Sequence, residues 1–469
     1  MSLKIFDHSA NYTATVIKLP VKQKVEGLDN LVMVEVFGNK CLIGKDSDES
    51  LTYLFFPSGT QLSSEFLHAN NLYRESQLNS NADPLKKGFF EPNGRVKAIK
   101  FRGIVSSGFV IPISSLFWES LPINGGHSFK EGDEFNEIDG VEICRKYMLS
   151  QPSAPGTKAD RASKLNEKMS GLLIPNQFRF HTDTAHLAKH LKDLKPSDII
   201  LITDKWHGSS AILARVMITK KLTFWQKLLN KIGGQIPTKD YGYIYSSGKP
   251  KSNLPKGIEG EWINDGPDFY TSNIWKEAFE KYKHALEDGI SIYGEIVGYE
   301  KDSASFIQKG YDYGCLPFST GEIIHYTRNI DGYDFDHSVK APPQNRFVVY
   351  RVTYTKPNGE VIEFTWQQIK DYCKKYDLET VKEIYFGRAR DYLEDWYGGN
   401  ERFGEAFFQY LQMSVEGIGG CVYCENRVPA EGVVVRKDGG PAYKLKASSF
   451  LAKESTDADK GETNIEDNA

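Results

Sequence analysis

The polar connection Lys205-Trp206-His207-Gly208 stands between two apolar runs, residues 198–202 and residues 210–214. Apolar runs of this length that are bounded by polar turns are typical of buried strands. Lys205 and Gly208 are therefore predicted to lie in a tight connection between two strands, or at the start of the second. Burial disfavours the ammonium form of a lysine and lowers its pKa, which makes it a nucleophile near neutral pH. A surface lysine in a hairpin turn is the alternative for this tetrapeptide taken alone.

The composition limits the classes of protein to which this chain can belong. Its 469 residues are enough for two or three domains, and 40% hydrophobic with 26% charged residues is typical of a soluble globular enzyme. The net charge of -4 means that any nucleic-acid surface must be local. No apolar run is long enough to span a bilayer, and the first residues lack the apolar core of a signal peptide. We therefore expect a cytoplasmic protein that does not bind membranes.

The cysteines point to a reducing compartment. Six of them are scattered along the chain, which does not fit a disulfide scaffold. Cys421 and Cys424 form a C-x-x-C pair, but a structural zinc site usually needs a second pair of ligands, and Cys315 and Cys373 do not show that spacing. We expect ordinary thiols, with metal binding by the pair as the less favoured alternative.

The first part of the chain, residues 1–150, is predicted to be a β-rich domain that binds nucleic acid. Short strand-like runs alternate there with turn residues, which favours a small barrel, with an OB-like barrel as the best guess. The segment from Arg95 to Arg102 places cations on both faces of one strand. Contact with a phosphate backbone and a solvated edge strand are equally good interpretations of that segment.

The rest of the chain is predicted to hold a linker, a second domain and a tail. Residues 151–174 are rich in turn and polar residues, and residues 175–454 form the second domain. Within it, a helix is expected after His181, residues 301–345 read as an insertion, and residues 366–417 as mostly helical. The acidic residues 455–469 are expected to be disordered.

Charged residues interrupt several apolar strands of the second domain. They are Glu295, Glu431, Lys444 and Lys446. Each has an ordinary explanation, since Glu295 can face solvent, Glu431 can lie in a turn, and the two lysines can mark an exposed strand face. Together with Lys205 they form an order: nucleophilic lysine, acid, aromatic strand, acid and paired lysines.

This order resembles the motif series of covalent nucleotidyltransferases, the superfamily of DNA ligases, RNA ligases and messenger-RNA capping enzymes. The motifs are K-x-H-G at Lys205, Y-G-E-I at Glu295, F-V-V-Y at Tyr350, E-G-V-V-V-R at Glu431 and Y-K-L-K ending at Lys446. They span about half of the chain. His207 departs from the common K-x-D-G form and is similar to the variant found among ATP-dependent RNA ligases.

The N-terminal part narrows the resemblance. Its strands look like the first module of Deinococcus-type RNA ligases, which couple an N-terminal OB-like domain to a C-terminal adenylyltransferase domain. The fold class implied is α+β: an OB-like β-barrel followed by an ATP-grasp-like ligase domain of antiparallel sheets with flanking helices. DNA ligases and capping enzymes carry an OB domain after the last lysine pair, whereas little follows that pair here.

The resemblance implies a role for each residue. Lys205 attacks the α-phosphate of ATP, Lys444 and Lys446 hold that phosphate, and Glu431 binds Mg²⁺ or Mn²⁺. The remaining residues contact the nucleotide: Glu295 at the ribose, Tyr350 on the adenine, Thr203 and Asp204 at the base edge, and Gly208 where the backbone approaches closely. An arginine that follows the third strand in many relatives is replaced by Ser246-Ser247-Gly248-Lys249, so its contact is in doubt.

The implied activity is ATP-dependent joining of a 3′-OH end to a 5′-phosphate end through lysyl-AMP. The expected cofactors are ATP and Mg²⁺ (or Mn²⁺), and the partner is RNA or an RNA-containing nicked duplex with a 5′-phosphate end. We expect a monomer. The alternatives are a DNA ligase, a GTP-dependent capping guanylyltransferase, or a nucleic-acid-binding protein whose transferase domain has lost activity.

Overall fold

The structure is a computed structural model. It describes residues 2–81, 88–118, 129–148, 170–181, 183–220, 222–248, 254–259, 261–262, 270–317, 323–330, 333–340, 343–393 and 398–461. Most of the predicted linker, residues 151–169, and the end of the predicted tail, residues 462–469, lie outside this part of the chain. The predicted domain boundaries therefore stay predictions.

The N-terminal part is rich in short strands. In order they are β1 (Leu3–Lys4), β2 (Ala14–Lys18), β3 (Gln23–Lys24), β4 (Leu31–Val36), β5 (Asn39–Gly44), β6 (Thr52–Pro57), β7 (Thr60–Leu62), β8 (Ile99–Phe101), β9 (Ile104–Ser106), β10 (Gly108–Pro112), β11 (Glu134–Phe135), β12 (Glu137–Ile138), β13 (Val141–Glu142) and β14 (Cys144–Lys146). Helix α1 (Ser64–Ala69) follows β7 and is capped by Ser63.

These strands pair into small antiparallel sheets. The largest has the order β10-β6-β2-β11, and β3-β4-β5 forms a second row beside it. The inward side chains of β2, β6 and α1, among them Val16, Leu54, Phe56 and Phe66, are fully buried in one apolar cluster. Within the described residues the rows do not close into a barrel.

The second part carries strands β15 to β29. They are β15 (Ala185–His186), β16 (Ile199–Lys205), β17 (Ser209–Thr219), β18 (Lys239–Ser247), β19 (Gly257–Ile258), β20 (Glu261–Trp262), β21 (Ile290–Gly298), β22 (Ile323–Ile330), β23 (Tyr333–Lys340), β24 (Asn345–Thr355), β25 (Val361–Glu363), β26 (Glu379–Thr380), β27 (Glu383–Arg388), β28 (Gly432–Lys437) and β29 (Ala442–Lys446). The helices are α2 (Phe224–Lys231), α3 (Ile274–Tyr282), α4 (Trp366–Lys375), α5 (Phe403–Gly417) and α6 (Ser448–Asp459).

Besides the two-stranded sheet β22-β23, two large sheets build this part. One has the order β15-β29-β28-β16-β27, and the other runs β20-β19-β18-β17-β21-β24-β25 with β26 beside β24. All pairs are antiparallel except β15 with β29 and β26 with β24. All nine residues of β21 are buried, as expected for a central strand covered on both faces. The α+β class with antiparallel sheets is confirmed.

Helices cover the sheets through their apolar faces. Helix α3 buries Trp275 and Phe279, and α4 begins in a capping box formed by Thr365 and Gln368. Helix α5 buries Phe403, Phe407, Phe408, Leu411 and Val415. The spacing of these residues at three and four positions puts them on one helical face. The two large sheets share one apolar core with α3, α4, α5 and α6, whereas α2 leaves Phe224 and Trp225 exposed.

One expectation about the second part is wrong, and another needs an addition. The helix expected after His181 is instead the short strand β15 and two 3-10 turns, Leu187–Lys189 and Leu191–Asp193. Residues 366–417 are mostly helical, as predicted, in α4, α5 and the 3-10 turns Ala389–Leu393 and Asn400–Arg402, but strands β26 and β27 lie between α4 and α5, and β27 pairs with β16.

The predicted tail begins inside a helix. Ser455 is buried, and residues 455–459 belong to α6, so disorder from Ser455 is wrong for these residues. Arg95 donates from Nη2 to the Ser455 carbonyl oxygen at 2.8 Å and pairs with Asp459, and Lys97 reaches Asp459 at 2.9 Å. Arg95 thus lies buried between the two parts of the chain, whereas β8 is exposed and, among the residues that the structure describes, pairs only with β9.

Candidate functional site

The connection Lys205–Gly208 crosses from one sheet of the second part to the other. Lys205 is the last residue of β16, and Ser209 is the first residue of β17. Lys205 lies opposite Gly432 of β28, and Gly432 lies opposite Lys446 of β29. This register alone brings Glu431, which precedes Gly432, beside both lysines. The predicted tight connection between two strands is present.

A buried carboxylate forms ion pairs with Lys205 and Lys446. Glu431 has a fully buried side chain, and its Oε1 lies 2.8 Å from Lys205 Nζ and 3.6 Å from Lys446 Nζ. Its Oε2 lies 3.7 Å from His207 Nδ1. Lys446 Nζ is also 2.9 Å from Oε1 of Glu454 on α6. Two cations and two carboxylates thus alternate at the end of β16.

The backbone of the connection is fixed by side chains from distant segments. The Gly208 N–H donates to Oε1 of Glu295 at 3.1 Å, and its carbonyl accepts from Nε2 of Gln308 at 2.8 Å. The His207 N–H donates to the hydroxyl of Tyr313 at 2.6 Å. A bulge between Tyr293 and Gly294 shifts the β21 register immediately before Glu295.

Aromatic rings surround Trp206. The ring of Tyr313 stacks on it at a centroid distance of 4.6 Å, and that of Tyr423 lies at 5.0 Å. The Tyr423 hydroxyl donates to the carboxylate of Asp204. Burial raises the pKa of Asp204, and this hydrogen bond opposes the shift. The residues on both sides of Lys205 are therefore tied to the turn that contains Tyr423.

A cleft opens in front of these residues. Seven of the residues predicted from sequence line it: Thr203, Asp204, Lys205, Glu295, Tyr350, Lys444 and Lys446. Gly208 and Glu431 lie behind its wall and contact it through Glu295 and Lys205. Tyr12 and Lys146 of the N-terminal part also line the cleft, which therefore lies between the two parts of the chain.

One wall of the cleft carries an aromatic ring and the other carries amines. The Tyr350 hydroxyl lies 3.1 Å from Oγ of Ser210, which fixes its ring. Lys444 is buried, and burial lowers the pKa of its ammonium to about 8, helped by the charges of Lys446 and Lys205 and opposed by Asp183. The cleft thus combines a π-face with closely spaced cations, which suits a base and a phosphate.

The carboxylates at the cleft fit one mode of divalent-cation binding and not another. Within the described ranges no group of three or more Asp, Glu, His or Cys residues is placed to hold a metal ion. Mg²⁺, however, keeps several waters and is usually bound through one or two carboxylates together with substrate phosphates. The buried carboxylate of Glu431, 2.8 Å from Lys205 at the wall of the cleft, fits that mode and does not fit an all-protein cage.

Comparison with known proteins decides the family. The protein-family model described as RNA ligase matches residues 198–453, the segment that holds every motif above. The chain belongs to the RNA ligase family. A search of curated protein sequences finds no significant match.

Solved structures share the fold of this RNA ligase over both parts of the chain. Naegleria gruberi RNA ligase as a lysine variant with AMP and Mn has 14% identity and a TM-score of 0.51, with 94% of this chain and 98% of that chain covered. Another lysine variant of it with ATP and Mn has 13% identity and a TM-score of 0.53 at the same coverage. The same ligase with PPi has 12% identity and a TM-score of 0.52, also at that coverage.

Sequence reasoning missed part of the site in this RNA ligase. Gln308, Tyr311 and Tyr313 come from the segment 301–345, whose role was left open, yet all three are buried around His207 and Gly208. The Tyr311-Asp312-Tyr313 alternation was the available signal, because alternating tyrosines are unusual for a solvated insertion. In the segment Ser246-Ser247-Gly248-Lys249, which replaces the arginine of many relatives, Gly248 lines the cleft and Lys249 lies outside the described residues.

Gly208→Ala should impair this RNA ligase although it adds one methyl group. An ideal Cβ at Gly208 would lie 2.3 Å from the Ile296 carbonyl oxygen and 2.8 Å from Cγ of Glu295. The backbone cannot move aside as a side chain tip can, so we expect about a hundredfold slower labelling by ATP. Radiolabelled nucleotide followed by a denaturing gel measures it.

Gly417→Ala is the matched control, because nothing lies within 4 Å of a Cβ there. Equal labelling of the two variants would contradict the close approach at Gly208.

No helix among the residues that the structure describes is both long and apolar enough to cross a membrane.

Proposed function

We propose that this RNA ligase seals RNA ends in three phosphoryl transfers that begin with ATP, with Lys205 as the nucleophile. In the first, Lys205 Nζ forms a bond to the α-phosphorus, the bond to the β-phosphate oxygen breaks, pyrophosphate leaves and the amine gives up a proton. The observation that supports this best is that Glu431 Oε1 lies 2.8 Å from Lys205 Nζ and 3.6 Å from Lys446 Nζ, beside one cleft.

Lys205 must lose its proton before it attacks. Its ion pair with Glu431 at 2.8 Å favours the ammonium, whereas the neighbouring cations of Lys444 and Lys446 favour the neutral amine. The pair with Glu431 also fixes the direction of the lysine side chain at the end of β16. Phosphate binding beside Lys205 would thus meet an amine that is already oriented.

The other cleft residues are assigned to the nucleotide. Lys444 and Lys446 hold the α-phosphate, where negative charge builds up during the transfer. Tyr350, fixed by Ser210, stacks on the adenine, and Glu295 contacts the ribose hydroxyls. Thr203 and Asp204, which line the cleft beside them, select the base.

Glu431 is assigned to a divalent cation, Mg²⁺ or Mn²⁺. Such a cation would neutralise phosphate charge when bound. Its carboxylate is the fully buried acid nearest to Lys205, and only one protein carboxylate is needed when phosphates and water supply the other ligands.

The later steps act on RNA. The AMP passes from Lys205 to a 5′-phosphate, forming a 5′–5′ diphosphate linkage, and a 3′-OH then attacks that 5′-phosphorus and displaces AMP. Both steps depend on positioning and charge neutralisation. Tyr12 and Lys146 place the N-terminal part at the same cleft, which supports contact of this part with the RNA ends.

The finer assignment is to the Deinococcus type. We propose that the N-terminal part is the OB-like domain of that type, that the second part is its ATP-grasp-like domain, and that the enzyme is a cytoplasmic monomer acting on nicked duplexes. The likeness to a Naegleria RNA ligase over 94% of this chain supports a common two-part plan.

Nucleotide labelling tests the first step. The full chain is incubated with magnesium and radiolabelled ATP or GTP, and the protein is then run on a denaturing gel. Covalent label from ATP alone supports the proposal. Label from GTP would favour a capping enzyme, and no label from either would favour the inactive binding protein.

A panel of nicks tests the substrate. Duplexes with a pre-adenylylated 5′ end differ only in the sugar at the 3′-OH side of the nick, ribose or deoxyribose. Faster sealing with ribose supports an RNA ligase that acts on nicks. Equal rates with both sugars would favour the DNA ligase alternative.

ATP affinity should fall as the pH rises through about 8. The folded protein carries Lys444 as an ammonium below a pKa of about 8 and as a neutral amine above it, because burial disfavours the charge. Phosphate binding needs the charge, so affinity at about pH 9 should be roughly tenfold below that at pH 7.

Lys444→Arg should remove this fall, because a guanidinium stays protonated over the whole range. Nucleotide titrations of both proteins from about pH 7 to 9 measure it. A parallel loss of affinity in the arginine variant would contradict the assignment to Lys444.

A further inference from the structure

The C-x-x-C turn brings two thiols together beside the nucleotide cleft. The Sγ atoms of Cys421 and Cys424 are 3.1 Å apart, and both residues are partly exposed. The other four cysteines, Cys41, Cys144, Cys315 and Cys373, are buried. Only this pair therefore combines access to solvent with a second thiol in reach.

The turn is tied to the site through its own residues. Tyr423, between the two cysteines, donates to Asp204 and packs on Trp206, the two neighbours of Lys205 in the chain. The same segment runs on to Glu431, and the Pro429 carbonyl accepts from Tyr311 at 2.8 Å. A change at the cysteines is thus carried to residues that touch the nucleophile.

The far side of the turn is held firmly. The Glu425 N–H donates to Oδ2 of Asp312 at 3.1 Å, and the Asn426 amide donates to the same oxygen at 3.0 Å. The Cys421 N–H donates to the Val428 carbonyl at 2.7 Å. Because both ends of the turn are anchored, closing the gap between the thiols must move the residues between them.

The ionisation of the thiols supports reactivity at this place. The hydrogen bond with Cys424 lowers the pKa of the Cys421 thiol, whereas burial raises the pKa of Cys373 and of Cys315 to about 12. The thiolate is the form that reacts with oxidants. Of the two partly exposed thiols, Cys421 is therefore assigned to the first attack.

We propose that Cys421 and Cys424 form a reversible dithiol–disulfide pair whose oxidation slows the transfer of AMP to Lys205. This inference rests on the proposed function for its effect on rate, but not for formation of the disulfide. Among the described residues the pair lacks further His, Cys, Asp or Glu ligands that would complete a metal site, which favours redox chemistry over zinc.

The oxidant is a peroxide. The Cys421 thiolate attacks one peroxide oxygen, the O–O bond breaks, and a sulfenic acid and water result once a proton is taken up. The Cys424 sulfur then attacks the Cys421 sulfur, the S–S bond forms, the S–O bond of the sulfenic acid breaks, and the hydroxyl leaves as a second water with the proton of the Cys424 thiol. In sum, two thiols and one hydrogen peroxide give one disulfide and two water molecules, and the thiols lose two electrons.

Oxidation would move the turn by about the difference between the present Sγ–Sγ distance and the length of a disulfide bond. The thiols lie 3.1 Å apart, and a disulfide bond is about 2.05 Å long. A displacement on the order of 1 Å at Tyr423 would weaken its hydrogen bond to Asp204 and its contact with Trp206. Both contacts position the end of β16, so Lys205 would be displaced from the nucleotide.

The test uses the full chain in reduced and peroxide-treated forms, with peroxide removed before assay. Peptide mapping by mass spectrometry should find a peptide in which Cys421 and Cys424 have lost two hydrogen atoms. Labelling by ATP should be about tenfold slower in the oxidised protein and should return when dithiothreitol is added. The variant Cys421→Ser/Cys424→Ser should keep its labelling rate after the same treatment.

Distinct outcomes overturn the inference. Absence of the disulfide, an unchanged rate with the disulfide formed, or equal inhibition of the double serine variant would each do so. Absence of labelling in the reduced protein would instead overturn the proposed function. In that case the inference is decided by ATP affinity, measured by tryptophan fluorescence before and after peroxide treatment. A reversible loss of ATP affinity in the wild type but not in the double serine variant supports the inference. An unchanged affinity overturns it.

Discussion

Replacing Lys205 with alanine should abolish transfer of AMP to the protein while leaving the last sealing step largely intact. The Lys205 amine forms a covalent bond only in the first step, where it displaces pyrophosphate. A 3′-OH that attacks a pre-adenylylated 5′ end needs the cleft and its cations, but not that amine. We expect labelling by ATP to fall by at least about a thousandfold, and sealing of pre-adenylylated nicks to fall by less than about tenfold.

Two control variants distinguish the role of Lys205 as a nucleophile from the effect of its positive charge. Lys205→Arg keeps the cation beside Glu431, but its guanidinium does not become a neutral nucleophile, so it should fail in labelling as alanine does. Lys220→Ala removes an exposed lysine paired with Asp240 and should keep full activity. Labelling of the arginine variant at the wild-type rate would show that another group carries the AMP.

The site residues were predictable from the sequence where a charged residue interrupts an otherwise apolar segment. Charged side chains are rarely buried, yet Glu295 in β21, Lys444 in β29 and Glu431 immediately before β28 are buried, and Lys446 is partly buried. Antiparallel pairing of β16, β28 and β29 then brings Lys205, Glu431 and Lys446 together, as the order of the motifs had indicated. Polar residues in core strands were the informative signal.

Other parts of the site were not predictable because their signal is tertiary. Tyr313 and Gln308 form hydrogen bonds to the backbone of residues 207 and 208, although they lie about one hundred residues further along the chain. Strand β27 reads as part of a helical region, yet it is required at the edge of β16. Ser455 looks like the start of a polar tail, yet its hydroxyl accepts from the Ala98 N–H at 2.8 Å, a contact that no local pattern signals.

Glu431→Gln should have the second large effect, and the direction of the change distinguishes two roles. If Glu431 served only to pair with Lys205, the neutral amide would lower the lysine pKa, provide more neutral amine and speed up labelling. If Glu431 holds the divalent cation, the amide loses a ligand charge, and labelling should fall by about a hundredfold to a thousandfold. We expect the fall, because the carboxylate is fully buried at the cleft and phosphate charge must be neutralised there.

Folding has to be measured beside activity in this variant. Removing the buried acid leaves Lys205 and Lys446 facing each other across an amide, and we expect a loss of about 3 kcal/mol in the free energy of unfolding, measured by urea titration. Glu454→Gln is the matched control, since Glu454 pairs with the same Lys446 at 2.9 Å from a more exposed position and should cost less than about 1 kcal/mol. Labelling rates over a magnesium titration complete the test. A folded Glu431→Gln protein that labels faster than wild type would assign the carboxylate to the lysine, and one that labels slowly at every magnesium concentration would assign it to the cation.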